Sequence, residues 1–281
     1  MHFLGGVVMT AADYARPVRC GGELPSSGIQ TLDRSMLLVE LVASAGENGM
    51  TAAELEASSG FSIAAVYRMT QALRTLGLLR QVRNRGPFLL GHQLIVWGNA
   101  AAQGHYIKRA AREALRELVE CFDDSFFLFV PDGYQVLCLD IQDGSDPCRS
   151  YATGIGSRIR HGVGQASLAI LSHLPPGEYE QILSRNLTAL QRNQGISWPE
   201  IEQAVAMCRR LGITGGVEGR APPEFTGVAS PVLDPSGQSV AAISCSLRRS
   251  KMNDSHYRAL CDGLWHQTAR IQQRLYGDPE E

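Results

Sequence analysis

The sequence predicts an α+β protein made of two unlike modules joined by a helix, and three observations predict it. Three short helical periodicities with well-marked ends are followed, at residues 78–90, by two apolar runs around an arginine-rich turn. Residues 109–277 then follow the order helix, antiparallel strands, helices, strands, helix, the pattern of an α+β domain. Between them, residues 92–108 read as a helix of small and apolar side chains. A chain of 281 residues is long enough for two cores of this kind. The expected boundaries are a flexible tail over 1–28, a first module over 29–91, a connecting helix over 92–108 and a second module over 109–277.

In the first module, helical periodicity starts after Thr31 and runs through Leu32, Met36, Leu37, Val39, Leu41 and Val42 until Gly46 and Gly49 end it. Thr51-Ala-Ala-Glu54 has capping-box spacing, with hydroxyl and carboxylate each satisfying an orphan backbone N–H, and Met50 and Leu55 are placed as a hydrophobic staple. After the break at Ser58-Ser59-Gly60, Ser62 is an N-cap and Phe61 with Val66 forms a second staple. The third helix ends at Gly77, a left-handed stop. Two short helices across a glycine turn make a helix-turn-helix. The hairpin that follows, Leu78–Val82 and Phe88–Leu90 about Arg83-Asn84-Arg85-Gly86-Pro87, is a wing with a basic tip.

That layout points to DNA. Helix N-termini offer N–H groups to phosphates, and long arginines reach phosphates or the minor groove. The competing reading, in which Arg34, Arg68, Arg74, Arg80, Arg83 and Arg85 form a solvated face, stays open for any one of them. A net charge of −2 confines any nucleic-acid contact to a local patch.

Gln30-Thr-Leu-Asp-Arg-Ser-Met-Leu-Leu38, Thr51-Ala-Ala-Glu-Leu55, Ser62-Ile-Ala-Ala-Val-Tyr-Arg68 and Leu73-Arg-Thr-Leu-Gly-Leu-Leu79 resemble the DNA-binding half of the IclR family of bacterial transcription regulators. The recognition helix usually opens with polar residues in that family, where this chain has Ile63-Ala64-Ala65. Such residues make no bidentate base contacts but can meet thymine methyl groups. The resemblance implies base reading by Ser62, Tyr67 and Arg68, with Arg34, Arg83 and Arg85 on the DNA backbone.

In the second module, Ala110, Ala111, Ala114, Leu115, Leu118 and Val119 form one apolar helical face. Ser125–Val130 and Tyr134–Ile141 flank a Pro131-Asp132-Gly133 turn and read as a hairpin. Cys148–Thr153 is a shorter strand candidate. Gly162–Leu174 reads as a helix closed by Pro175-Pro176, and Ser197-Trp-Pro-Glu200 as a capping box opening another. Two strands, Gly227–Leu233 and Ser239–Leu247, and a final amphipathic helix complete the chain. This half also resembles the IclR family, whose C-terminal domain is GAF-like and binds an effector; the likeness spans roughly residues 29–277.

The resemblance implies a pocket at Gly162, Val163 and Gly164, at a helix start, and at Ser244 and Ser246. Strand alternation puts those two serines on one face. Amides at a helix N-terminus with two hydroxyls suit a carboxylate. Ser157, His161, Glu218, Phe225 and Gly227 complete the implied site, and Gln165 stands where the family commonly has lysine.

Seven scattered cysteines show no C-x-x-C and no zinc spacing, which suits a reducing, cytoplasmic compartment. No segment is apolar enough to span a membrane, and without a basic n-region no signal peptide is expected; Met9 is an alternative start. With no G-x-S-x-G elbow, Walker A loop or histidine metal spacing, neither an enzyme nor a cofactor or metal is expected. The sequence reads as a DNA-binding regulator, repressor or activator. It would act as a homodimer, or a tetramer of such dimers, on a pseudo-palindromic operator under control of a small carboxylate. The alternative is a dimeric sensor or interaction module with weakened DNA binding.

Overall fold

The computed structural model describes residues 27–83, 85–152, 154–217 and 224–277. The tail before Ser27, Asn84 at the wing tip, Thr153 and Glu218 lie outside the described residues. The chain divides into two compact units, at Gly104/His105.

In the first unit α1 (Gln30–Ser44), α2 (Ala52–Ser59) and α3 (Ile63–Thr75) precede strands β1 (Leu79–Gln81) and β2 (Phe88–Leu90). The caps are local and complete. The Thr51 N–H donates to Glu54 at 2.7 Å, while the Glu54 N–H donates back to Thr51 Oγ1 at 3.3 Å. After α3, Gly77 takes φ +72° and two N–H groups turn back on the helix end, Leu78 to the Leu73 carbonyl and Gly77 to that of Arg74. Leu38, Val42, Leu55, Val66, Leu73, Leu79 and Phe88 form the core, with Phe61 half-buried against it.

The hairpin is antiparallel, with Arg80 opposite Leu89. Met50 bridges to Phe88, so the segment leading into α2 joins the wing. Gly91 closes the wing onto the helix-turn-helix: a Cβ there would lie 2.0 Å from the Gly77 carbonyl oxygen.

The connecting helix differs from expectation. It ends earlier, at Gly104, so that α4 (His92–Gly104) is followed directly by α5 (Tyr106–Phe122), the helix that carries the apolar face read at Ala110–Val119. Gly104 ends the first, and His105 caps the second, its Nδ1 accepting the Lys108 N–H at 3.5 Å.

The second unit is a six-stranded antiparallel sheet between two helical layers. The strands are β3 (Ser125–Asp132), β4 (Gln135–Gln142), β5 (Arg158–Arg160), β6 (Phe225–Thr226), β7 (Ala229–Leu233) and β8 (Ser239–Arg248). They run β5-β4-β3-β8-β6, with β7 also bonded to β8. The helices are α5, α6 (Gly164–Ser172), α7 (Pro176–Gln194), α8 (Trp198–Leu211) and α9 (Asp254–Tyr276). Period-two alternation sorts the side chains of β3. Phe126, Leu128 and Val130 pack with α5 and α9, whereas Phe127 and Phe129 pack with α6, α7 and α8. β8 does the same, with Ala241, Ile243, Cys245 and Leu247 toward α5 and α9.

Two elements differ from the sequence reading. Residues 148–152 form no strand. Their polar groups are spent elsewhere: the Cys148 N–H donates to Ser125 Oγ at 2.9 Å, and the Ser150 hydroxyl meets that of Ser246 at 2.7 Å. And α7, nineteen residues long, begins at the Pro-Pro expected to close its predecessor. Pro176 takes the first helical position, where a missing N–H costs nothing.

Gly91→Ala is expected to lower stability by about 1–3 kcal/mol in denaturant melts of the full chain, because the added methyl meets backbone. Gly177→Ala, in the first turn of α7 with open space around it, is expected to leave stability unchanged or raise it by up to about 1 kcal/mol.

Candidate nucleic-acid interface and ligand pocket

The first unit presents α3 outward. Val66, Met69, Thr70 and Leu73 are buried, leaving Ser62, Ile63, Ala64, Tyr67, Arg68 and Gln71 exposed along one side. Ala65, expected on the reading face, is half-buried and packs on the core instead. Ser62 caps the helix, its Oγ accepting the Ala65 N–H at 3.4 Å. The Ile63 N–H donates to Glu56 Oε1 at 2.9 Å. The first turn of α3 therefore spends two of its N–H groups on its own unit, and the expectation that it offers them to phosphate is corrected to that extent.

The arginines carry the electrostatics. Arg68, Arg83 and Arg85 are exposed, and neither they nor Arg34 pair with a carboxylate among the described residues. The Arg34 guanidinium lies 4.5 Å from the Phe61 ring centroid, an aromatic face that orients the charge without neutralising it. Arg85 sits in the wing with φ +63°, a left-handed backbone that non-glycine residues seldom adopt. Two acids of this unit serve as caps: Glu54 in the Thr51 box and Glu56 at Ile63.

The second unit holds a cleft of about 340 Å³, counting its open mouth, between the sheet and the start of α6. Of the residues expected there, Val163, Gly164, Ser244 and Ser246 line it. Phe127 and Phe129, stacked with centroids 6.2 Å apart, form its apolar floor, and Ser150, Tyr151, Ile159 and Gln165 lie around it. α6 begins with no side-chain cap, so the positive end of its dipole borders the cleft unneutralised. No charged side chain lines the cleft among the described residues. The Arg149 guanidinium beside its floor lies 5.5 Å from the Phe127 centroid and is paired with Asp143 at 2.5 Å.

Other expected residues have structural work. His161 is fully buried and outside the lining; its Nδ1 faces the Ser167 carbonyl at 3.4 Å, and burial pushes its pKa down to about 4. Gly162 packs against Leu190 and Ile201, and Gly227 lies so near the Cys245 carbonyl that a Cβ would stand 2.0 Å away. Ser157 Oγ accepts the Gly154 N–H within a turn, and Phe225 lies under the Arg248 guanidinium. The spacing of β3 from the other pocket residues hid Phe127 and Phe129 from sequence reading; their paired aromatic pattern on one strand face was the signal that could have found them.

The hydroxyl and thiol groups near the cleft are engaged or buried. Ser167 Oγ donates to the Val163 carbonyl at 2.6 Å, and the Cys245 thiol is pushed up to about 12 by burial. No cluster of metal-ligating side chains occurs among the described residues, and none of their helices is long and apolar enough to cross a membrane.

Comparison with known proteins agrees with both halves. The family model described as the IclR helix-turn-helix domain matches residues 31–83, and that described as the bacterial transcriptional regulator IclR C-terminal domain matches residues 99–272. The HTH-type transcriptional regulator BhcR of Paracoccus denitrificans is 24% identical over 246 residues, 86% of each chain. The HTH-type transcriptional regulator KipR of Bacillus subtilis is 28% identical over 156 residues, which are 56% of this chain and 61% of that protein. Among solved structures, an IclR homolog from Microbacterium hydrocarbonoxydans complexed with 4-hydroxybenzoate superposes with a TM-score of 0.74 at 19% identity, covering 88% of this chain and 100% of the other. A helix-turn-helix unit, an α+β unit and these matches place the chain in the IclR family of bacterial transcriptional regulators, with an N-terminal DNA-binding domain and a C-terminal effector-binding domain.

Proposed function

We propose that this regulator works as a homodimer whose two winged heads bind a pseudo-palindromic operator, and that a small carboxylate in the cleft of the second unit controls it. The observation that carries the reading is the distribution of charge. Among the described residues, Arg34, Arg68, Arg83 and Arg85 of the head pair with no carboxylate, while acid–base pairs such as Arg149–Asp143, Arg158–Asp132 and Arg248–Asp146 tie the effector unit together. An unpaired arginine on an exposed helix has no stabilising task in its own fold, and is suited to phosphates and base edges. In this reading Arg68, with Ser62 and Tyr67, contacts bases, and Arg34, Arg83 and Arg85 hold the backbone. Such a protein acts in the cytoplasm.

The cleft supports a carboxylate by its chemistry. The uncapped start of α6 supplies partial positive charge, Ser244 and Ser246 supply hydroxyls, and Phe127 with Phe129 accommodates an apolar body. The structural relative holding 4-hydroxybenzoate supports the same class. A ligand there acts on DNA binding only through different affinities for two arrangements of the dimer.

Dimerisation is supported by α4. It has no Asp, Glu, Lys or Arg and no buried residue, and Ile95, Val96 and Trp97 are 62%, 58% and 55% exposed. Apolar exposure of that extent on one helix marks an association surface. A second copy is the occupant that also supplies the second head a two-fold operator needs.

Arg68→Ala is expected to weaken operator binding by about 5- to 100-fold, the range of one good base contact, with an unchanged melting temperature. Equal affinity of the two proteins in a fluorescence titration would remove Arg68 from the interface. In calorimetry against small carboxylates and their neutral amides, benzoate with benzamide among them, a carboxylate is expected to bind more tightly than its amide. The Ser244→Ala/Ser246→Ala double variant should weaken that binding by about tenfold or more and spare DNA binding. An amide that binds as well as its acid contradicts the carboxylate assignment. For the dimer, Trp97→Glu is expected to convert the sedimenting species to monomer, and a dimer that persists would move the interface elsewhere.

A further inference from the structure

The first turn of α3 departs from a hydrogen-bonding reading head in two independent ways. Two of its donors are used internally: the Ile63 N–H goes to Glu56 Oε1 and the Ala65 N–H to Ser62 Oγ. The Glu56 carboxylate also offsets the positive end of the helix dipole, which removes the attraction a phosphate would feel there. In the same turn, the outward side chains are apolar. Ile63 is 37% exposed and Ala64 is exposed, while Ala65 and Val66 turn to the core. One turn further, Tyr67 is 54% exposed beside Arg68 and Gln71.

We infer that Ile63 and Ala64 read thymine 5-methyl groups in the major groove, so that each operator half-site carries thymine beneath the start of α3. The inference rests on the proposal that α3 is the recognition helix. Among the four bases only thymine shows an apolar group on its major-groove edge. Ile63 set against guanine would cover the N7 and O6 acceptors, and set against cytosine the N4 donor, with no partner to replace the lost water. Contact with the methyl removes apolar surface from water on both sides. Specificity here is thus both attractive and repulsive: a methyl is rewarded, and a bare polar edge is penalised. Arg68 and Gln71, one and two turns along, keep polar termini for neighbouring base pairs. The half-site read by this helix divides into a methyl-read end and a hydrogen-bonded end.

The test uses the full-length protein and needs no mutation in its first arm. Operators are selected from a random duplex pool, and each thymine of the tightest one is replaced in turn by deoxyuracil, which removes only the methyl. One or two positions in each half-site are expected to lose about fourfold in affinity, the scale of one buried methylene. The second arm repeats the scan with Ile63→Ser, an exposed position where the change leaves the core untouched. Discrimination between thymine and uracil is expected to vanish at one of those positions, the one beneath Ile63. If deoxyuracil at every position leaves the wild-type affinity unchanged while Arg68→Ala still weakens binding, the methyl reading is overturned and the recognition-helix proposal stands. If Ile63→Ser discriminates as wild type does, Ile63 is not the reader and the inference fails. A pool that yields no preferred sequence overturns both.

Discussion

Strand β8 is hydrogen-bonded along both edges and covered on both faces, and the second unit is organised around it. β3 lies along one side, β7 and β6 along the other, so no backbone group of its middle is left for solvent. Its alternate side chains then have only two destinations. Ala241, Ile243, Cys245 and Leu247 meet α5 and α9, which leaves Ala242, Ser244 and Ser246 for the opposite face. The residues on that second face are small, and the space they do not fill is where the cleft opens beneath the start of α6. A one-residue slip would exchange the two sets and bury hydroxyls against the helical pair. The same register that builds the core therefore places the two serines beside the helix dipole.

In the first unit two carboxylates serve helix ends, while Arg34, Arg68, Arg83 and Arg85 pair with no carboxylate among the described residues. Glu54 completes a capping box and Glu56 takes the first N–H of α3, so both acids act on helix ends. Arg34 is held over an aromatic ring that leaves its charge in place, and Arg68, Arg83 and Arg85 project from the helix and the wing. A short-range feature of the fold, the choice of caps, thus decides which surface is cationic. The leading turn of α3 carries no basic side chain, and in the proposed reading it meets methyl groups while the rest of the helix meets polar edges.

What could be read from the sequence was local. The capping box at Thr51, the N-cap at Ser62, the glycine stop at Gly77 and the antiparallel hairpin of β3 and β4 each depend on residues a few positions apart, and each is present. The shared face of Ser244 and Ser246 follows from strand period alone. What could not be read depends on contacts between distant segments. The Cys148 segment gives its backbone to Ser125 and its hydroxyl to Ser246, so it never pairs as a strand. α7 was hidden because Pro175-Pro176 suits either the end of one helix or the first position of the next. His161 was attractive as a polar residue near a glycine-rich turn, and only the packed structure shows it sealed in the core. The link from Glu56 to Ile63 spans seven residues and crosses a turn, beyond the reach of any capping rule.

DNA binding by the exposed arginines of the head, by sequence and by charge together, is the property on which the proposed function depends. The most direct measurement is a titration of the full-length protein with the DNA upstream of its own gene, or with a pool-selected operator, at several salt concentrations and against excess random duplex. A complex that survives the competitor, with log affinity falling linearly and steeply against log salt, is the result predicted for phosphate-anchored, sequence-specific recognition. An affinity that ignores salt, or that is the same for selected and random DNA, would contradict it.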